Sequence, residues 1–284
     1  MSQTADGKYY TSDDGLSLYY RDFSPNMAGT PVICLPGLTR NSRDFEDLAL
    51  YLSDRRRVLT PDLRGRGFSQ HDPEWRNYHP GTYVRDVWRL LDQLSIDRVV
   101  VIGTSLGGLI AMALAGQNSS RLAGVIMNDI GPEIAPEGLA RVRKYAGRLP
   151  SIGSWDEAIA QSREIYGEWL PGLSAADWEK LARRAYRSGD DGVPLLDMDP
   201  EIGRAVREVR PSDGDPWELF RALAETPTMV LRGALSDILS PGILAHMLEI
   251  KPDLEVVEVP NRGHVPLLDE PECLAAIDKF LAGI

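Results

Sequence analysis

The segment Val99-Val100-Val101-Ile102-Gly103-Thr104-Ser105-Leu106-Gly107-Gly108, continuing as an apolar run to Gly116, decides how this chain is read. Four β-branched residues in a row, with no polar face, describe a strand buried on both sides. The residues after Ser105 keep an apolar composition but take up helical spacing, so strand passes into helix through Gly103-Thr104-Ser105-Leu106-Gly107. A serine at such a corner is held in a strained turn with its hydroxyl above the sheet. Neighbouring backbone crowds the corner, and glycine on either side leaves room. The N–H of Leu106, at the helix N-terminus, faces the place where negative charge would develop on a reacting oxygen. The run Val99–Gly116 carries no charge over 18 residues. Its internal glycines, Thr104 and Ser105 fit a strand turning into a buried helix better than a membrane span.

Outward from this corner, short apolar runs alternate with helical patterns. Leu16–Asp22 alternates as a half-exposed strand, and Pro31–Leu35 is continuously apolar. Asn41–Leu52 has helical spacing, Arg56–Pro61 reads as a strand, Thr82–Leu94 as an amphipathic helix, and Leu122–Asn128 as another buried strand. Alternation of this kind predicts an α/β architecture: a mostly parallel central sheet of about eight strands covered by helices. After Asn128 the rhythm changes. Residues 132–226 hold 31 charged residues in 95 and four of the six tryptophans, and they read as amphipathic helices with explicit starts. Ser154 with Glu157 and Ser174 with Asp177 are capping boxes, and Asp215-Pro216 is a cap followed by proline. The pattern resumes at Thr228–Arg232, with helix Pro241–Ile250, strand Leu254–Val259 and helix Pro271–Leu281. The expected organisation is a core of 1–131 and 227–284 with a helical cap, 132–226, inserted.

Composition narrows the partners. The chain of 284 residues has a net charge of −11. Phosphate-rich partners and anionic lipid need a basic face, so neither nucleic acid nor a membrane is expected. Cys34 and Cys273 are too few for a disulfide scaffold, and Cys34 reads as a buried thiol. The first residues have no apolar stretch, so a cytoplasmic protein is expected. No ligand cluster has zinc spacing and no dinucleotide fingerprint is present, which predicts no metal and no organic cofactor. Monomer and homodimer are equally compatible.

A serine hydroxyl needs a base, and the base an orienting acid. Of the four histidines, His71 and His79 lie in a polar stretch and His246 within a helix. His264, in Asn261-Arg262-Gly263-His264-Val265, follows a strand, where open α/β sheets gather their sites. Asp237 follows another strand end and is the preferred acid. Asp129, in Met127-Asn128-Asp129, is the alternative. The order Ser105, Asp237, His264 is nucleophile, acid, base.

With these residues the chain resembles the α/β-hydrolase fold superfamily along essentially its whole length. The resemblance implies that Leu35-Pro36-Gly37-Leu38 is the oxyanion loop, with the N–H of Leu38 joining that of Leu106. Pro36 stands where the family usually has histidine. Asp62-Leu63-Arg64-Gly65-Arg66-Gly67-Phe68-Ser69 resembles a structural turn of the family. A serine nucleophile argues against the dehalogenase and epoxide hydrolase branches, which use aspartate. The implied activity is hydrolysis of a small or medium carboxylic ester or lactone through an acyl-enzyme. The alternatives are cleavage of a carbon–carbon bond in a vinylogous diketone acid or of an enol-lactone, acyl transfer or perhydrolysis, and a non-catalytic receptor. Arg40 is a possible contact for a substrate carboxylate.

Overall fold

The computed structural model describes residues 7–146, 149–208 and 215–284. Its strands, in chain order, are β1 (Gly7–Thr11), β2 (Ser17–Phe23), β3 (Val32–Leu35), β4 (Val58–Pro61), β5 (Val99–Thr104), β6 (Leu122–Asn128), β7 (Tyr186–Ser188), β8 (Pro194–Leu196), β9 (Thr228–Gly233) and β10 (Glu255–Val259). The helices are α1 (Glu46–Ser53), α2 (Pro80–Gln93), α3 (Leu106–Asn118), α4 (Pro136–Tyr145), α5 (Trp155–Tyr166), α6 (Ala175–Ala185), α7 (Glu201–Glu208), α8 (Pro216–Arg221), α9 (Pro241–Ile250) and α10 (Pro271–Ala282). Eight strands form one sheet in the order β1-β2-β4-β3-β5-β6-β9-β10. The β1–β2 and β2–β4 pairs are antiparallel and the rest parallel. The expected α/β fold with its mostly parallel eight-stranded sheet is therefore present.

Side-chain alternation along the central strands builds a core on each face of the sheet. Val99 and Val101 of β5 join Ile33, Leu35, Val125 and Met127 on the face covered by α2 and α3. Val100 and Ile102 join Val32, Cys34, Ile126 and Met229 on the face covered by α1 and α10. This two-sided burial is why those strands read as unbroken apolar runs. Strand β1 has no counterpart among the expected elements. It lies at the sheet edge, buries only Tyr10 fully and leaves Tyr9 exposed, so its pattern is too weak to register.

Between β6 and β9 lie α4 to α8 and the hairpin β7–β8. All three expected helix starts are present, with one difference in detail. Ser174 and Asp177 form a reciprocal capping box, and Asp215 caps α8 ahead of Pro216. Ser154 accepts from the Glu157 N–H at 3.2 Å, but the Glu157 carboxylate turns back to the Gly153 N–H instead of closing the box. The hairpin was not expected, because strands of three residues carry no periodicity. It turns through Asp190-Asp191-Gly192, where Gly192 has a φ of 80°. Side-chain contacts stitch this stretch to the sheet's loops: Asn41 Nδ2 donates to the Arg184 carbonyl at 2.9 Å, and the Tyr78 hydroxyl donates to Asp199 at 2.6 Å. Helix α8 packs on α3, with Trp217 and Phe220 in the main core. Among the described residues no helix is long and apolar enough to cross a membrane.

Candidate active site

Between β5 and α3 the chain turns at Ser105, whose φ of 52° and ψ of −113° lie outside the ordinary L-residue regions. Such a backbone costs about 1–3 kcal/mol and survives only where surrounding packing enforces it. Here the enforcement is visible in the glycines. A Cβ on Gly107 would strike the Leu35 carbonyl, and one on Gly103 would strike the Gly107 backbone. The corner closes only because both positions lack a side chain.

Strand β6 lies beside β5, with Thr104 opposite Asn128. The residue beyond each is therefore Ser105 on one strand and Asp129 on the next. Asp129 is fully buried and also has a positive φ, 55°. The loop after β10 delivers His264, itself buried, between the two. His264 Nε2 lies 2.9 Å from Ser105 Oγ, and Nδ1 lies 2.8 Å from Asp129 Oδ2. With the Nδ1–H donating to the carboxylate, Nε2 is left to accept the serine proton. The Asp129 carboxylate also accepts the Gly233 N–H at 2.9 Å and the Ser236 hydroxyl at 2.7 Å. Three donors satisfy a charge that would otherwise be costly to bury.

This differs from the arrangement expected with Asp237 as the acid: the carboxylate at His264 is that of the alternative, Asp129. The loop after β9 turns so that Ser236, not Asp237, faces the imidazole side. Ser236 Oγ accepts the N–H groups of Ile238 and Leu239, which fixes the turn. Asp237 points to α4 instead and holds Arg141 through two hydrogen bonds of 2.6 and 2.8 Å. The Arg141 guanidinium lies 4.9 Å from the centre of the Trp169 ring. Burial alone would lower the pKa of Arg141, but Asp237 more than offsets this and holds it above the ordinary value.

The other expected residues fall as follows. Leu38 and Leu106 line one cleft together with Ser105. Leu106 opens α3, so its N–H belongs to the first turn, which has no intrahelical acceptor. The Leu38 carbonyl accepts from Arg66 Nε at 2.7 Å, a contact that sequence reading did not suggest. Arg66 is fully buried; its Nη1 donates to the Arg64 carbonyl and to the Tyr83 hydroxyl. Arg40 is not an exposed loop residue. It is 9% exposed and grips Asp44 through two hydrogen bonds of 2.7 and 2.5 Å. His79 caps α2, His246 faces Glu249 and Trp217, and His71 faces Asp199, all away from Ser105. Cys34 and Cys273 are buried free thiols. Among the described residues no group of three or more His, Cys, Asp and Glu is placed to hold a metal ion.

Two spaces meet at Ser105. One is a narrow chamber of about 90 Å³ bordered by His264, Arg40, Tyr145 and Tyr166. The other is a cleft of about 490 Å³, bordered largely by apolar side chains such as Leu109, Met112, Ile134 and Leu219. A reactive hydroxyl with a base at hydrogen-bond distance, a buried acid behind it and a space on each side is arranged to attack a carbonyl and part its two halves.

Comparison with known proteins places the fold in a family. Residues 30–151 match the family model for the alpha/beta hydrolase fold. The chain is 33% identical over 263 residues to 3-hydroxybutyrate-oligomer hydrolase of Cupriavidus necator, covering 89% of this chain and 88% of that one. It is 29% identical to 2-(acetamidomethylene)succinate hydrolase of Mesorhizobium japonicum, with the same coverage. The crystal structure of an alpha/beta hydrolase from Novosphingobium aromaticivorans superposes over the full length of both chains with a TM-score of 0.94 at 43% identity. The chain belongs to the α/β-hydrolase fold family. It is a hydrolase.

Proposed function

We propose that this hydrolase cleaves a small or medium carboxylic ester or lactone through an acyl-enzyme, with Ser105 as nucleophile, His264 as base and Asp129 as acid. The observation that carries the reading is the unbroken chain from Ser105 Oγ through His264 to Asp129, at 2.9 and 2.8 Å. His264 takes the serine proton as Oγ attacks the carbonyl carbon, and the N–H groups of Leu38 and Leu106 hold the oxyanion. The imidazolium, stabilised by Asp129, returns the proton to the leaving alkoxide. Water activated by the same imidazole then releases the acid. Each oxyanion donor is worth about 2.7–4 kcal/mol of barrier. The segment 132–226 acts as a cap: α4 and α5 supply Tyr145 and Tyr166 to the chamber beside Ser105. The relative that acts on 3-hydroxybutyrate oligomers supports an ester, because hydroxy acids oligomerise through ester bonds.

The test is hydrolysis of p-nitrophenyl acetate, butyrate and octanoate by the wild type and by Ser105→Ala. Loss of about three or more orders of magnitude in kcat with the alanine variant is expected. Equal activity of the two proteins would overturn the assignment of Ser105.

A further inference from the structure

Arg40 Nη1 is a buried guanidinium nitrogen with no hydrogen-bond partner among the described residues. The other side of the same guanidinium is fully engaged: Nε and Nη2 are committed to Asp44, and Nη2 also reaches the Leu181 carbonyl at 3.4 Å. Asp44 thus locks the side chain in one orientation, and the remaining donor is left over. An unsatisfied charged donor is costly in a protein interior and in a native site calls for an explanation. Its place supplies one. Arg40 borders the narrow chamber with Ser105, His264 and its own partner Asp44, so that this ion pair is neutral and Arg184 is the further charged residue on the chamber wall. A Cβ on Gly37 would stand 3.7 Å from Arg40 Cγ and 3.8 Å from Ser105 Cβ, so the arginine stem and the nucleophile flank a single glycine.

Charge on this wall points the same way. Arg184 borders the chamber too, and its partner Asp47 is shared with Lys180, at 2.7 and 2.5 Å. Two cations thus share one carboxylate here, in a chain whose overall charge is −11. The wide cleft on the other side of Ser105 is bordered by no Lys, Arg, Asp or Glu among the described residues. The two spaces differ in chemistry as well as in size.

We infer that Arg40, whose Nη1 is closed off from solvent until a ligand parts the chamber wall, receives through that donor a carboxylate of the substrate, so that the bond cleaved at Ser105 joins a short anionic half in the narrow chamber to an apolar half in the wide cleft. This rests on the ester or lactone reading given above and narrows it to monoanionic substrates. Arginine suits the task because its planar fork can hold Asp44 on one edge and present a charged donor on the other.

The experiment uses two matched pairs of esters in which a carboxylate is replaced by its amide. One pair carries it on the acyl side (p-nitrophenyl hemisuccinate and p-nitrophenyl succinamate). The other carries it on the alcohol side (3-acetoxybutyrate and 3-acetoxybutyramide). In at least one pair the wild type should prefer the carboxylate in kcat/KM by about 10- to 100-fold, the range of a charge-assisted hydrogen bond, and Arg40→Gln should abolish that preference. Absence of preference in both pairs, or its survival in Arg40→Gln, overturns the inference. A second measurement keeps it separate from the ester reading. In Ser105→Ala, succinate should raise the melting temperature where succinamide does not, and adding Arg40→Gln should remove the shift. That pattern with no ester hydrolysis by the wild type would sink the ester reading and keep the anion site. Hydrolysis of neutral esters with no succinate shift would do the reverse.

Discussion

The Asp129 carboxylate lies 2.8 Å from His264 Nδ1 through Oδ2, and that oxygen also accepts the Ser236 hydroxyl at 2.7 Å while Oδ1 accepts the Gly233 N–H. A carboxylate held by two further donors is fixed in its orientation toward the imidazole. Asp129→Asn should therefore lower kcat by about 10⁴-fold, because the amide would favour the wrong imidazole tautomer. Asp237→Asn should leave turnover within an order of magnitude. Steady-state kinetics of the two variants on one ester decides the matter, and the reverse ranking would restore Asp237 as the acid.

Arg66 fixes the peptide of Leu38 from behind, through the 2.7 Å bond to its carbonyl. Arg66→Met keeps much of the bulk and removes the donor, freeing the loop that carries one proposed oxyanion N–H. A drop in kcat of about 10- to 100-fold with KM little changed is expected, since oxyanion contacts act in the transition state. Lysine at the same position should recover part of the loss. Equal kcat in a variant with a native circular dichroism spectrum would show that the contact does not position the loop.

The Arg141–Asp237 pair joins α4 to the loop after β9, with side chains 17% and 11% exposed. Removing one partner strands the other's charge in a nearly dry place. Arg141→Met and Asp237→Leu should each cost about 2 kcal/mol, and the double variant should be more stable than the sum of the two predicts. Urea midpoints of the four proteins give the coupling. Additive losses would mean that the two groups do not interact.

Asp14 is held at about 2, below its usual 3.8, first by its hydrogen bonds to Arg64, against a smaller opposing effect of burial. A lowered carboxylate pKa stabilises the fold above the unfolded value and loses that contribution as the pH falls from about 4 toward 2. The gap in melting temperature between wild type and Asp14→Asn should accordingly be widest near pH 5 and close toward pH 2. A gap independent of pH would show that the ion pair is not its source.

Much of the site was legible because its residues end strongly patterned elements. The run Val99–Ile102 announced a buried strand, and Ser105 stands three residues beyond it. His264 stood out among four histidines by lying past a strand end. The carboxylate that faces His264 was not the one preferred from sequence, for a physical reason. Asp129 and Asp237 both follow strands, and local pattern does not reveal which strand lies next to β5. Once β6 pairs with β5, Asp129 sits beside Ser105 with no loop to span, whereas Asp237 is carried past the imidazole by the Ser236 turn. The role of Arg66 was hidden in the same way, since a contact over 28 residues of sequence between two loops leaves no periodic trace. The burial of Arg40 left no trace in sequence, because nothing in its neighbourhood shows that Leu181 of α6 will meet it.

The pairing of Ser105 and Asp129 on adjacent strands also sets an order of assembly. They stand 24 residues apart and are aligned as soon as β5 and β6 zip together. His264 comes from 135 residues beyond the carboxylate it must meet. During synthesis Ser105 and Asp129 can be in register before the imidazole has been made. On the proposed mechanism Ser105 therefore stays unarmed until β10 has docked and carried His264 between the serine and Asp129.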